Sequence, residues 1–162
     1  MLPRTGLERL PCTTGFTPCS ARVRMVDVTS VVSHTSIDCS DAYALSEFWK
    51  GVLGYRDLPD DPNEPGHEEC MIEDPATGHR VLFIEVPEAK STKNRVHFDL
   101  RPRAGTRDTE VARLLTLGAT VVADHRGVRG PGTGWFVLAD PEGNEFCILR
   151  SQDEVEGAPD SG

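Results

Sequence analysis

The sequence is short of the features that most directly announce a function. Aromatic residues make up only 6% of its 162 positions. No apolar run approaches the roughly 20 residues that a membrane-spanning helix needs, so no association with a membrane is expected. Basic residues are in the minority, 17 Lys and Arg against 26 Asp and Glu, for a net charge of −9. That balance argues against nucleic acid as a partner, because affinity for a phosphate backbone comes mostly from cationic side chains. Cysteine is sparse and unpatterned. The five residues, at positions 12, 19, 39, 70 and 147, include no CxxC pair and no disulfide-framework spacing. Reduced thiols in a cytoplasm are the expectation. A phosphate-binding loop is also missing: Gly127 to Gly134 holds four glycines but lacks the GxxxxGK[ST] pattern and opens no helix, and reads as a mobile rim loop.

The ends of the chain add little. Residues 1–27 mix Pro, Thr, Gly and Arg without apolar periodicity and read as a disordered extension, with translation starting at Met1 or Met25. Residues 152–162 read as a disordered acidic tail.

What remains, residues 28–151, is ordered by two Asp-Pro turns. Ala139-Asp140-Pro141-Glu142-Gly143-Asn144 places Asp, Pro and Gly where a type I turn takes them, with Trp135–Leu138 before and Phe146–Leu149 after it as strands. Asp74-Pro75-Ala76-Thr77-Gly78 repeats the device between Glu69–Ile72 and Arg80–Val86. Upstream of each turn stands a helix. In the first, Leu45, Phe48, Trp49, Val52 and Leu53 make one apolar face, Ser40 or Asp41 can cap it, and Gly54 stops it. In the second, Val111, Leu114 and Leu115 form the stripe, Thr106 or Asp108 the cap, and Gly118 the stop. Strands are expected at Val31–Cys39, Tyr55–Leu58, Arg95–Leu100 and Thr120–Ala123. His34, Leu53-Gly54 and Asp74-Pro75 match His97, Leu117-Gly118 and Asp140-Pro141, so the chain reads as a repeated β-α-β-β-β unit. The fold expected is α+β: paired βαβββ modules, about 28–90 and 91–151, forming a curved mixed sheet around a cleft. Each sheet has only one face covered by its helix, and a homodimer is expected from that.

These residues resemble the vicinal oxygen chelate superfamily, and within it the glyoxalase-like domain proteins. The likeness is carried by Ile37–Asp41, Phe48-Trp49 through Leu53-Gly54, Val86–Lys90, Lys93–Leu100 and Asp140–Cys147. It implies a small-molecule cleft and a divalent metal (Zn, Ni, Fe or Mn), held by a residue on the first and last strand of each module. His34 and His97 match the first-strand positions and Glu85 the third ligand, provided that Glu85 rather than Ile84 faces inward. Cys147 stands at the fourth position, where metal-dependent glyoxalases carry Glu. A site with no metal, Cys147 being a small buried apolar residue, is the alternative.

Strand alternation suggests which other groups join the cleft. His34, Ser36 and Asp38 should share one face of the first strand; Arg95, His97 and Asp99 one face of its counterpart, with Val96, Phe98 and Leu100 toward the helix; and Glu145, Cys147 and Leu149 one face of the last. Glu85 and Glu145 are the candidate catalytic carboxylates. Arg95, Asp99, Asp38 and Trp135 are the candidate substrate-binding residues. Lys93-Asn94-Arg95 either fixes the crossover between modules or, through Arg95, holds an anionic substrate. His67, His79 and His125 read as surface residues. The functional expectation is a lyase or isomerase acting on a small carbonyl or oxygen-bearing metabolite, possible metal assistance included. The alternative is a metal-free protein that sequesters a small molecule, as in the bleomycin-resistance branch. A dioxygenase is disfavoured, since its triad needs Glu at position 147.

Overall fold

The computed structural model describes residues 30–157. The extension expected over 1–27 and the last five residues lie outside them. The element order is β1 (Thr35–Cys39), α1 (Ala42–Leu53), β2 (Arg56–Asp57), β3 (Glu69–Glu73), β4 (Arg80–Glu85), then β5 (Asp99–Leu100), α2 (Arg107–Thr116), β6 (Thr120–Asp124), β7 (Phe136–Ala139), β8 (Glu145–Ile148) and α3 (Gln152–Glu156). Two four-stranded mixed sheets result, ordered β1-β4-β3-β2 and β5-β8-β7-β6. In each, the first strand runs parallel to the last and the other pairs are antiparallel. The sequence repeat is therefore a repeat of topology. No helix among the described residues is long and apolar enough to cross a membrane.

Local chemistry accounts for the element ends. The Asp41 side chain accepts from the Ala44 N–H at 2.8 Å, and Gly54, at φ 71°, closes α1 in the left-handed conformation. Thr106 caps α2 reciprocally with Thr109. Leu45, Phe48, Trp49 and Val52 are all buried, so α1 lays one stripe onto the core. In the second hairpin the Gly143 N–H donates to Asp140 O at 2.9 Å, closing the turn at its fourth residue. The first hairpin is one residue longer, closing from Gly78 N–H to Asp74 O at 2.9 Å.

Three boundaries differ from expectation by more than two residues. Strand pairing begins at Thr35 rather than Val31, and at Asp99 rather than Arg95, because β5 meets only β8 and only over two residues. Val96, expected to face the helix, is accordingly 82% exposed. The expected tail is the third: residues 152–156 form α3. Its cap is Ser151, whose side chain accepts from the Glu154 N–H while Glu154 reaches back to the Ser151 N–H at 2.8 Å. Glu154 also accepts from the Arg107 N–H at 2.7 Å, which ties α3 to the start of α2.

The modules grip each other through their turns. The Trp49 indole N–H, from the first module, donates to Asp140 Oδ2 at 3.1 Å in the second hairpin. Its ring lies 5.4 Å from Phe98 and 5.1 Å from Phe146, centroid to centroid. Glu142 accepts from the Ser40 and Asp41 N–H groups and from the Ser40 hydroxyl, at 2.8–3.0 Å. In return, the Arg103 guanidinium of the second module reaches Asp74 Oδ2 of the first hairpin at 3.4 Å. Arg113 donates to the Gly51 and Val52 carbonyls at 2.9 and 3.3 Å, capping the end of α1. One apolar cluster consequently runs through both modules.

Candidate functional site

On β8, Phe146 and Ile148 turn into the core, so Glu145, Cys147 and then Leu149 point to the opposite face. On that face they meet His97 and Asp99 from the approach to β5 and its start, Val137 and Trp135 from the β7 side, His125 after β6, and Lys93. Together they line a cavity of about 430 Å³. Asp99 and Cys147 are direct register neighbours. The His97 Nε2 atom lies 3.4 Å from Asp99 Oδ1. Donor atoms of His97, Asp99 and Cys147 all fall within 4.8 Å of one another. Burial, then the hydrogen bond to Asp99 and the charge of that carboxylate, push the Cys147 thiol up to about 11, with Lys93 opposing.

Beside the thiol, toward the β7 and β6 side of the same sheet, the lining is aromatic. The His125 and Trp135 rings lie 5.0 Å apart, and the His125 N–H donates to Trp135 O at 3.0 Å. Behind them the glycine-rich loop is held by Arg107, which is 7% exposed and donates to Gly134 O at 2.9 Å. Gly134 sits at φ 82°, and a Cβ there would fall 1.9 Å from His125 O. Gly134→Ala is therefore expected to cost about 2 kcal/mol or more from left-handed backbone alone, and to displace His125. Thermal unfolding checks the first effect and the environment of Trp135 fluorescence the second; an unchanged melting temperature would contradict both.

A second cavity, of about 240 Å³, opens between β1 and the segment leading into β5, with Ser36 and Asp38 on one side, Asn94 and Val96 on the other, and Trp49 among its lining. His97 and Glu145 line both cavities.

The expected site residues divide accordingly. His97, Asp99, Cys147 and Trp135 come together, and Asp38 lines the second cavity. Arg95 is exposed and borders neither cavity. Glu145 borders both but is committed: it accepts from the Asn94 N–H at 3.0 Å and pairs with Lys90 at 3.2 Å. Although burial works the other way, those contacts hold its carboxyl below the ordinary range, which suits an anchor of the crossover better than a base. Asn94 in the same crossover also bonds to Asn144, so Asn94 is used structurally.

The first module's metal-ligand expectations meet a different geometry. Along β4 it is Val81 and Phe83 that are buried against α1, and Glu85 shares their face. Its carboxylate accepts from the Ala42 N–H at 3.2 Å, at the start of α1. The inward residue is Ile84, so the third ligand is not presented to the cleft. His34 precedes β1, is exposed, and lies 3.1 Å from the Ser33 hydroxyl. The four-residue set His34, Glu85, His97 and Cys147 is thus not brought together; among the described residues His97, Asp99 and Cys147 are. His125, read from sequence as a surface residue, is a cleft residue. Lys93 is the other group the sequence did not assign to the cleft.

The fold has relatives. The glyoxalase-like domain profile matches residues 34–149. A solved structure of a possible glyoxalase from Bacillus cereus is 16% identical, over 75% of this chain and 99% of that one, with a TM-score of 0.53. A glyoxalase/bleomycin resistance protein/dioxygenase family enzyme from Burkholderia phytofirmans is 22% identical, over 72% and 94%, with a TM-score of 0.52. A mutant of the fosfomycin resistance protein FosX from Listeria monocytogenes, complexed with Mn(II) and 1S,2S-dihydroxypropylphosphonic acid, is 15% identical, over 78% and 94%, with a TM-score of 0.55. No curated protein matches in sequence. With its profile match running from the start of β1 to the end of β8, the chain belongs to the glyoxalase-like domain family, and its fold is that of the vicinal oxygen chelate superfamily.

Proposed function

We propose that the second module's concave face takes a small oxygen-bearing metabolite and acts on it as a lyase or isomerase. The observation that carries this reading is the composition of the 430 Å³ cavity. Trp135, Val137 and Leu149 offer an apolar wall, while Lys93, His97 and His125 offer N–H groups around it. Trp135 and Leu149 would hold the body of the ligand and Lys93 its oxygen. His125 is the imidazole for moving a proton: its ring makes no hydrogen bond among the described residues, unlike His97, which is paired with Asp99. Cys39, Cys70 and Cys147 are free and buried, which suits a reducing cytoplasm. A homodimer belongs to the same reading, and its mass in solution checks it.

The test is turnover and binding on a panel of small hydroxycarbonyls and oxo acids, followed by deuterium exchange at the carbon beside the carbonyl and by tryptophan fluorescence. His125→Gln is expected to lower turnover by roughly 100-fold with little change in KM. Trp135→Ala should raise KM instead. Saturable binding without turnover would favour the second reading, a sequestering protein; the absence from the cleft of the first module's Glu85 and His34 is the observation on its side. Neither binding nor turnover would remove both readings.

A further inference from the structure

We propose that His97, Asp99 and Cys147 form a zinc site contained wholly within the second module, with the Cys147 thiolate as one ligand and a fourth position open toward the cleft. It rests on the preceding reading only for what fills that fourth position. The three donors are a nitrogen, an oxygen and a sulfur, all within 4.8 Å of one another. Around a tetrahedral zinc with bonds of roughly 2.0–2.3 Å, donors lie about 3.3–3.8 Å apart. The His97–Asp99 pair, at 3.4 Å, already has that spacing. Closing the remainder takes only side-chain rotation, since the His97 and Asp99 side chains are 37% and 57% exposed. The backbone brings the set together: parallel pairing puts Asp99 beside Cys147, and His97, two residues before Asp99, shares its face.

Charge and softness both select the ion. A carboxylate and a thiolate beside a neutral imidazole sum to −2, so a divalent cation makes a neutral site in a half-buried cleft. Hard oxygen-seeking ions such as Mn(II) or Mg(II) gain little from a thiolate, whereas zinc takes it readily. The cavity beyond the donors leaves room for the open position of a reactive rather than structural zinc, where the ion would polarise a ligand oxygen. This differs from the two-module set that the family resemblance implies, and it adds Asp99 as a ligand in its own right.

The experiment uses the full chain, stripped by chelation and titrated with zinc, then with cobalt(II) as a spectroscopic probe. One equivalent of zinc per chain and a thiolate-to-cobalt charge-transfer band are expected. Cys147→Ser should abolish the band and weaken zinc by roughly 100-fold or more, because metal and folding of the site are coupled through that ligand. Asp99→Asn, an exposed position, should weaken zinc without unfolding the chain, and keeps the test open if Cys147→Ser fails to fold. His34→Ala and Glu85→Gln should leave stoichiometry unchanged. No zinc uptake by the folded wild type, a cobalt spectrum without the thiolate band, or loss of metal in Glu85→Gln or His34→Ala would overturn the proposal. Failure here with ligand binding and the His125→Gln effect intact leaves the cleft reading standing; zinc uptake with no ligand bound leaves the zinc site alone.

Discussion

Trp49→Ala is expected to lower stability by about 4 kcal/mol, the cost of removing a buried indole and leaving its cavity. Trp49 is 1% exposed and wedged against Phe48, Phe98 and Phe146. No neighbour can collapse into the space without leaving another core position. For a domain of this size such a loss lowers the melting temperature by roughly 15 °C. Because the indole belongs to one module and its cage largely to the other, both modules should melt together, in a single transition, at the lower temperature. Circular dichroism and urea titration measure the loss, and a change under 1 kcal/mol would show that the indole does not join the modules.

Asp140→Ala is expected to cost about 3 kcal/mol, since buried donors left without an acceptor each cost about 1–3 kcal/mol before relaxation. The carboxylate accepts from four donors: the N–H groups of Glu142 and Asn144 on Oδ1, and the Asn144 amide and Trp49 indole on Oδ2. Asp140→Asn keeps the shape but turns an amide N–H toward one pair of these donors, so it should recover only part of the loss. The pH dependence separates the two variants from the wild type. Burial raises the Asp140 carboxyl above its ordinary range, the donors opposing. The folded chain then binds more protons than the unfolded one between those two values, and this group's contribution falls as pH rises through that window. Both variants should lose that acid-side slope. Trp49→Phe combined with Asp140→Asn should show coupling, because the residues share a hydrogen bond.

The fold was legible because its signals are local. The Asp-Pro turns and the apolar stripes of α1 and α2 each need only a few adjacent residues to be seen, and their nearly equal spacing in the two halves shows the repeat. The geometry of the candidate site was legible only in its second half. In β8, apolar Phe146 and Ile148 alternate with Glu145 and Cys147, which fixes the face of each. In β4, Val81-Leu82-Phe83-Ile84 is apolar without interruption, and such a run carries no parity from which to place Glu85. Pairing with β1 and β3 on both sides decided it. His125 and Lys93 lie outside the strands that alternation describes, and only the closure of the loop through Gly134 and Arg107 shows that His125 is part of a wall. The helix α3 had a readable signal, Ser151 three residues before Glu154, which acidic composition obscured.

The crossing bonds between modules have a consequence for synthesis. Ser40 and Glu142 are 102 residues apart in the chain, and Trp49 and Asp140 are 91 apart. The first module leaves the ribosome with the start of α1 lacking its acceptor and the Trp49 indole lacking its cage. At about 5–20 residues per second, the turn that supplies both follows roughly 5–20 seconds later. During that interval the nascent chain presents an aromatic surface that the finished protein hides, and chaperones or proteases meet it in that state. The span from Trp49 to the last hairpin thus sets the length of the most vulnerable period in the protein's life.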